Sequence, residues 1–362
     1  MIRTAVSAAA LACAFATMAS ANGTLATVPT DGIANQPNYV RSCDEKGIGY
    51  FYVPGTESCI RFQGLIRFEP AAGDSLDDTQ KLETYQSTSR FTLRVGSTTE
   101  SDYGPITTMA EARFSYVDGG TLGVRLYRAY IGIGDFLFGA EESAFVRAAG
   151  DLGRVVNNSL LPAGGYTTGQ LAYSFTPAEG VKGIVSLEQG SDDYADVNGE
   201  IDGDMPNIVL GLRKDWENFS LSGAGAYDSP NDALVAKVRV DYRLEGRTTF
   251  WGQAAFKDLD DVYAAREDGT MERQISSFYG TWGGKSAVWA GGTFGIREDL
   301  SANFQMGFDD ANTFAASANV IFEPIRTLSI IPELTYISYN DENDYRDGND
   351  AVQAIVRIEK LF

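Results

Sequence analysis

The chain ends in the stretch Ala351-Val-Gln-Ala-Ile-Val-Arg-Ile-Glu-Lys-Leu-Phe362, in which apolar and polar residues alternate. Successive side chains of a β-strand point to opposite faces, so this stretch predicts a strand with one apolar and one polar face. The apolar face comprises Val352, Ala354, Val356, Ile358 and Phe362, interrupted by Lys360, and the polar face comprises Gln353, Arg357 and Glu359. A soluble β-sandwich can use the same pattern, but a strand that ends with the chain on an aromatic residue is typical of an outer-membrane β-barrel.

The same alternation recurs along the chain in segments of about ten residues, separated by turn sequences. Between Cys59 and Phe68, for example, one face is apolar and the other carries Arg61, Gln63 and Arg67. So many half-apolar strands can bury one face only in a very large sandwich or against lipid. We favour lipid, and predict an all-β fold, a transmembrane antiparallel β-barrel.

A barrel of this kind alternates short turns at one rim with longer loops at the other. Short turns are predicted at 99–104, 134–135, 177–180, 215–218, 245–246, 297–299 and 323–327. Longer loops are predicted at 70–85, 118–120, 141–166, 190–206, 228–232, 258–283, 309–312 and 340–350. These connections join about 16 strands and place both chain ends at the turn rim, provided that residues 274–283 belong to the sixth loop.

The first 21 residues have the features of an export signal. Arg3 gives a positive start, the stretch from Ala5 to Met18 is apolar, and Ala19-Ser-Ala21 is a typical cleavage sequence. The apolar part is too short to span a membrane as a helix. We therefore predict a signal peptide at residues 1–21 and an exported protein.

The charge balance and the lack of histidine exclude several functions. The chain has 49 acidic against 29 basic residues and a formal net charge of −20, so nucleic acid is not an expected partner. There is no histidine, which removes Ser-His-Asp and Cys-His catalysis and histidine-ligated zinc. The sequence therefore predicts no enzyme, no cofactor and no metal site. Acidic loops at 192–204, 258–261 and 341–350 are interpreted as solvated outer surface, with divalent-ion binding as the alternative.

Two cysteines, Cys43 and Cys59, remain once the signal peptide is removed. In an exported protein an even pair predicts a disulfide, and two free thiols are the alternative. Closing a loop of this length would stabilise the fold by roughly 3 kcal/mol in the chain-entropy model.

Several stretches resemble the porins of alphaproteobacteria. The opening block contains Asn38-Tyr-Val-Arg-Ser-Cys43 and Gly47-Ile-Gly-Tyr-Phe-Tyr-Val-Pro-Gly-Thr-Glu-Ser-Cys-Ile-Arg-Phe-Gln-Gly64, with the family's cysteine pair, Pro-Gly-Thr turn and first strand. Arg128-Ala-Tyr-Ile-Gly-Ile-Gly-Asp-Phe-Leu-Phe-Gly139 is similar to the strand leading into the pore loop, and Pro206-Asn-Ile-Val-Leu-Gly-Leu-Arg213 to a mid-barrel strand; Phe362 also fits. Between Ala140 and Asn158 the chain lacks the family's aromatic-rich segment, so pore width and selectivity are not carried over.

The resemblance implies a homotrimeric porin for passive diffusion of ions and small hydrophilic solutes. Its partners would be outer-membrane lipid, lipopolysaccharide and the barrel-assembly machinery, for which Phe362 is interpreted as the signal. Residues 22–58 would form a periplasmic segment that the Cys43–Cys59 disulfide closes onto the first strand, and residues 59–362 the barrel. A barrel with a structural or adhesive surface role and no open channel is the alternative function.

If the apolar face contacts lipid, the polar face lines the lumen. The predicted pore wall carries a ladder of arginines: Arg61, Arg67, Arg90, Arg94, Arg113 and Arg125. The third loop, at 141–166, is predicted to fold into the lumen as a constriction loop, with Glu141, Glu142, Asp151, Arg147 and Arg154 as its charged residues. Its carboxylates opposite the ladder would create a transverse field that orients dipolar solutes and sets ion preference. In the alternative, the arginines solvate the lumen or pair with Glu111, and Glu141 and Glu142 belong to the strand end.

Overall fold

Long antiparallel strands surround a lumen in the computed structural model, which describes residues 41–76, 84–244 and 246–362. The strands are β1 (Phe51–Tyr52), β2 (Cys59–Gly73), β3 (Thr84–Thr99), β4 (Ile106–Val117), β5 (Gly120–Ile133), β6 (Phe136–Glu142), β7 (Thr167–Ala178), β8 (Val181–Glu188), β9 (Asn207–Asp215), β10 (Phe219–Asp228), β11 (Ala233–Arg243), β12 (Thr249–Lys257), β13 (Val262–Ala265), β14 (Met271–Gln274), β15 (Ser286–Arg297), β16 (Leu300–Asp309), β17 (Phe314–Ile325), β18 (Leu328–Tyr339) and β19 (Asn349–Leu361). The predicted signal peptide lies outside the described residues, as does the part of the N-terminal segment before residue 41.

Strands β2–β12 and β15–β19 form the barrel, each pairing with the next, and the sheet closes because β19 pairs with β2. In that seam Ile358 lies opposite Phe68 and Glu359 opposite Arg67. β12 pairs directly with β15, so β13 and β14 form a separate hairpin. Closure pairs the main-chain groups that lipid cannot hydrogen-bond. The sixteen barrel strands of the described chain confirm the predicted fold class.

The connections confirm the predicted order of turns and loops. Short turns join β3 to β4, β5 to β6, β7 to β8, β9 to β10, β11 to β12, β15 to β16 and β17 to β18. Residues 274–283 lie in the long connection between β12 and β15, as the predicted strand count requires. Cys43 and Cys59 form the predicted disulfide, which ties the N-terminal segment to the first residue of β2 at the turn rim.

The apolar face of the strands points outward and the polar face points inward. Phe62, Ile66 and Phe362 leave 53%, 60% and 61% of their surface exposed, whereas Glu111 and Gln253 on the inner wall leave 0% and 4%. A continuous exposed apolar band is unfavourable in water but stable against lipid. Within the described residues, no helix has the length and hydropathy needed to cross a membrane.

The constriction loop leaves the wall after Glu142 and enters the lumen, as predicted. It begins with the helix α1 (Ala144–Ala149), whose N-terminus is capped by Ser143: the hydroxyl accepts from the Phe145 backbone N at 3.1 Å. Gly211 of β9 lets α1 pack closely on the wall, since a Cβ atom there would lie 2.2 Å from the Ala148 Cβ atom. Short 3-10 helices occupy Asp44–Lys46 and Ser229–Asn231.

Candidate functional site

Arginines from five neighbouring strands form one basic surface on the inner wall, which we name the arginine wall. It comprises Arg357 of β19, Arg67 of β2, Arg90 and Arg94 of β3, Arg113 of β4, and Arg125 and Arg128 of β5. The strand register sets them side by side, with Arg67 opposite Arg90 and Arg113 opposite Arg125. Side chains at directly opposed positions are close neighbours, so the guanidinium groups gather on one side of the lumen.

The buried carboxylate of Glu111 is shared by three of these guanidinium groups. Its oxygens lie 2.7 Å from Arg94 Nε, 2.8 Å from Arg113 Nε and 3.9 Å from Arg128 Nη1. A carboxylate that is 0% exposed is stable only when it is paired and hydrogen-bonded, and this one is. One negative charge among three positive charges leaves the cluster positive.

The remaining pairs do not neutralise the wall. Arg67 Nε donates to Glu359 at 2.7 Å, Arg357 Nε donates to Glu69 at 2.5 Å, and Arg128 Nε lies 2.8 Å from Glu141. Among the described residues Arg90 has no carboxylate within salt-bridge distance; its Nε donates to Ser115 Oγ at 3.4 Å. With Arg125 and its partner Asp193 set aside, six arginines therefore share five carboxylates: Glu69, Glu111, Glu141, Glu359 and Glu142, which lies 3.8 Å from Arg128.

The constriction loop is held against the opposite half of the barrel, from β11 to β18. Side chains of the inner wall bind its main-chain groups directly. Arg239 Nη1 donates to Asp151 O at 2.7 Å, Lys237 Nζ to Ala163 O at 2.7 Å, Trp289 Nε1 to Leu161 O at 2.8 Å, and Glu333 accepts from Asn157 N at 2.8 Å and from Val156 N. This half of the inner wall is therefore covered by the loop, while the arginine wall stays open to the lumen.

A cavity of about 740 Å³, which we name the eyelet, separates the two halves. Its basic lining comprises Arg67, Arg90, Arg113, Arg128 and Arg357. Its acidic lining comprises Glu142, Asp151, and Asp192, Asp193 and Asp196 of the connection between β8 and β9. Burial, together with the nearby carboxylates of Asp151 and Glu142, raises the pKa of Tyr166, which lines the eyelet from the constriction loop. The eyelet thus has a basic lining and an acidic lining, which meet where Glu142 lies 3.8 Å from Arg128.

Some predicted site residues lie outside the eyelet or on its basic side. Arg61 lies near the turn rim, where its guanidinium carbon is 4.6 Å from the centre of the Tyr50 ring. Glu141 belongs to β6 and pairs with Arg128, so it lies on the arginine wall rather than across from it. Arg125 pairs with Asp193 at 2.9 Å and thereby connects the wall to the β8–β9 connection.

The two predicted arginines of the constriction loop do not line the eyelet. Arg147 lies in α1 and its Nη2 donates to Gln170 Oε1 at 2.7 Å. Arg154 has an exposed side chain, and its backbone oxygen accepts from Asn319 Nδ2 at 2.9 Å. Both are therefore placed to hold the loop in position.

Sequence reasoning missed several residues that line the eyelet. Arg357 falls on the polar face of the last strand, but it joins the ladder only because β19 closes onto β2. Arg128 lies in a stretch that was noted only for its resemblance to the family, and it was not included in the predicted ladder. The aspartates between β8 and β9 were interpreted as outer surface, yet Asp196 Oδ2 accepts from Ile275 N at 2.7 Å and turns its loop toward the lumen. In the described part of the chain, no group of three acidic, cysteine or histidine side chains is arranged to hold a metal.

A family model described as the Porin subfamily matches residues 33–359. The porin Omp2b of Brucella neotomae is 35% identical over 341 residues, which cover 90% of each chain. The porin Omp2a of Brucella suis biovar 1 is 34% identical over 346 residues, again covering 90% of each chain.

Solved structures share the fold at low sequence identity. The outer-membrane channel DcaP of Acinetobacter baumannii superposes with a TM-score of 0.65 at 16% identity, over 86% of this chain and 99% of that one. OmpF of Salmonella typhi, solved with daunomycin, gives a TM-score of 0.65 at 10% identity, over 84% and 98%. An anion-selective porin from Comamonas acidovorans gives 0.55 at 11% identity, over 84% and 100%.

Proposed function

Because the chain belongs to the porin subfamily and forms an outer-membrane channel for passive diffusion, we propose that its solutes cross a transverse electric field at the eyelet. The arginine wall is the positive pole. Asp151 and the aspartates at 192, 193 and 196 are the negative pole, with Glu142 at the junction, 3.8 Å from Arg128. Ions and small hydrophilic solutes are the expected cargo, and those with separated charges are oriented as they pass.

The unequal pairing of the arginine wall carries this proposal. Charges at the surface of a low-dielectric wall interact more strongly than charges in bulk water, so the unpaired charge of Arg90 and the surplus around Glu111 act on a passing ion. Rings of charged side chains set ion preference in other pores by the same means. Pairing with Glu111 reduces the field of the ladder but does not cancel it.

Reversal potentials of the purified protein in planar bilayers test the field. Arg90→Ala is expected to lower the permeability ratio of chloride to potassium, and Asp151→Asn is expected to raise it. Arg61→Ala is the matched control, because that guanidinium lies away from the eyelet. An unchanged ratio in both eyelet variants contradicts the transverse field, even if the conductance itself is altered.

The partners belong to the same proposal. A homotrimer is supported by the small outward-facing residues Ala110, Ala112, Ala316 and Ala318, which allow close packing of a neighbouring barrel. Lipopolysaccharide and lipid would cover the rest of the outer face, and the barrel-assembly machinery would recognise Phe362. We infer no enzymatic activity, since the chain has no histidine. Native mass in detergent and conductance steps in groups of three test the trimer; a monomer mass with single steps contradicts it.

A further inference from the structure

The connection between β12 and β15 contains a second stretch that lies inside the barrel, residues 275–284, which we name the clamp segment. Phe278, Tyr279 and Trp282 leave at most 1% of their surface exposed. The Tyr279 ring packs edge-on against Phe145 of α1, with 5.5 Å between ring centres, and Trp282 packs 5.7 Å from Trp289 of β15. Aromatic side chains buried this deeply form a close-packed core. The clamp segment is therefore packed structure rather than a solvated loop.

Charged residues at the loop-rim ends of four strands hold the clamp segment in place. Each is the last residue of its strand: Glu188 of β8, Asp228 of β10, Lys257 of β12 and Asp309 of β16. Tyr279 Oη donates to Glu188 at 3.0 Å, Ser277 Oγ donates to Asp228, Lys257 Nζ donates to Gly280 O at 3.1 Å and to Trp282 O at 2.7 Å, and Gly283 N donates to Asp309 at 2.8 Å. Hydrogen bonds to charged groups are stronger than neutral ones, so the barrel fixes the clamp segment at four points.

The clamp segment in turn holds the end of the constriction loop. Gly165 N donates to Phe278 O at 2.7 Å, and Gly164 N donates to Thr281 Oγ1 at 2.9 Å. The Thr281 hydroxyl also donates to Pro162 O at 2.9 Å. Pro162, Gly164 and Thr281 all line the eyelet. A shift at this junction therefore changes the eyelet directly.

Glu188 connects the clamp segment to the beginning of the constriction loop as well. Its carboxylate accepts from Tyr279 Oη, from Ser143 Oγ at 2.7 Å and from Ala144 N at 2.8 Å. The constriction loop is thus held at Ser143 and Ala144, where it leaves the inner wall, and again at Gly164 and Gly165, just before it rejoins the wall in β7. The first attachment depends on Glu188, which the clamp segment contacts through Tyr279, and the second depends on Phe278 and Thr281 of the clamp segment itself.

We propose that the clamp segment positions the constriction loop and keeps the eyelet open in an applied electric field. Thr281 and Phe278 are its positioning residues. A constriction loop without these contacts would be free to move across the eyelet, and the channel would close more often at lower voltage. The proposal takes from the function above only that the constriction loop borders the conducting path; it does not depend on the transverse field.

Gly165→Ala tests the clamp through a steric clash. A Cβ atom at Gly165 would lie 2.3 Å from Cε2 of the Phe278 ring, and only 1% of this side chain's surface is exposed. We expect the full-length protein in planar bilayers to show a lower closing voltage. Combining Gly165→Ala with Phe278→Leu removes the ring atoms Cε2 and Cζ, two of the three nearest atoms, and is expected to move the closing voltage back toward the wild-type value. Gly203→Ala is the matched control, since a Cβ atom there meets no atom within 4 Å.

Thr281→Val provides a second test that leaves the packing volume nearly unchanged. Loss of its hydrogen bonds is expected to raise the ratio of closed to open time roughly fivefold, the equivalent of about 1 kcal/mol. Thr293→Val is the control, because it deletes a hydroxyl bond to Asn303 on the inner wall and leaves the clamp segment intact. The reversal potential, read in the same bilayers, should not change with Thr281→Val.

Closing behaviour of Thr281→Val and Gly165→Ala that equals the behaviour of their controls would overturn the proposal. If Gly165→Ala does not assemble, Thr281→Val alone decides the question. An altered closing voltage with an unchanged reversal potential supports the clamp whatever the outcome for the transverse field, so the two proposals fail separately.

Discussion

The two halves of the inner wall use the same strand pattern for different purposes. On β19 and β2–β5 the inward side chains remain in contact with the lumen, and carboxylates of adjacent strands pair with only part of their charge. On β8–β18 the inward side chains are covered, because the constriction loop and the clamp segment lie on them. Lys237 and Arg239 are 5% and 7% exposed, whereas Arg90 is only partly buried. A basic residue of the first half therefore faces passing solutes, whereas a basic residue of the second half holds a loop in place.

This difference determines how each half responds to a lost charge. On the arginine wall, removing one member of an ion pair leaves charged groups close together on a rigid sheet, without the charge that compensated them. On the covered half, removing one partner frees a loop but leaves the barrel strands paired. The following predictions use this contrast, in order of decreasing effect.

Glu111→Gln should have the largest effect, because it leaves three guanidinium groups without their common carboxylate. Breaking a buried charge cluster in this way costs about 3–5 kcal/mol of folding free energy. Denaturant unfolding of the detergent-solubilised protein measures the loss. Glu298→Gln is the control, since that side chain is 95% exposed beside Arg247 and should change stability by less than about 1 kcal/mol. Equal stability of the two variants would mean that the Glu111 carboxylate does not stabilise the arginine wall.

Glu188→Gln should act locally on the covered half. The amide cannot accept all three hydrogen bonds from Ser143, Ala144 and Tyr279, which costs about 2 kcal/mol in the attachment of the two lumenal segments. Limited proteolysis should cut the constriction loop faster, while the unfolding midpoint of the barrel changes little. Glu200→Gln, at an exposed residue of the β8–β9 connection, is the control. A large drop in barrel stability would remove the distinction between the two halves.

Deletion of Phe362 should affect assembly more than conduction. Its ring stacks on Phe91 with 6.3 Å between ring centres, and its backbone exchanges two 3.0 Å hydrogen bonds with Gly64, so it closes the seam outside the lumen. The lost aromatic contact is worth about 1 kcal/mol. Membrane levels of the barrel and single-channel conductance should be measured together. Normal barrel levels after the deletion would refute a role in assembly.

The smallest expected effect is a pH dependence at the loop rim, away from both halves. Burial opposes ionisation of Asp344, but hydrogen bonds from Arg346 and from the Arg273 backbone N prevail and hold the pKa of this loop carboxyl below its ordinary value of 3.8. Its stabilising contribution is complete above that value and declines as the pH falls toward the lowered pKa. Protease cleavage of the β13–β14 hairpin should therefore increase between pH 5 and pH 3. Asp344→Asn should show little such change; the same pH response in that variant would assign the effect to another group.

The barrel and much of the arginine wall were predictable from local pattern. Alternation over each strand assigns Arg67, Arg90, Arg94 and Arg113 to the inner face, because a strand's side chains have a period of two wherever the strand lies. The order of short turns and longer loops was likewise predictable, since the connections of a barrel alternate between its two rims. Glu141 shows what local pattern could not predict. It was placed with Glu142 on the constriction loop, but it lies in β6 and pairs with Arg128 on the arginine wall.

The sequence by itself determined the sixteen strands, the face that each side chain presents and the strand that closes the barrel, because each of these follows from composition and local periodicity; the export signal stays a prediction from the sequence. Only the tertiary structure decided which charges meet: Arg357 reaches the ladder through the closing seam, and Asp196 reaches the eyelet through Ile275. It also decided that residues 275–284 enter the lumen. Irregular segments have no period to reveal their burial, and their positions depend on contacts with residues more than a hundred places away, such as those between Phe278 and Gly165.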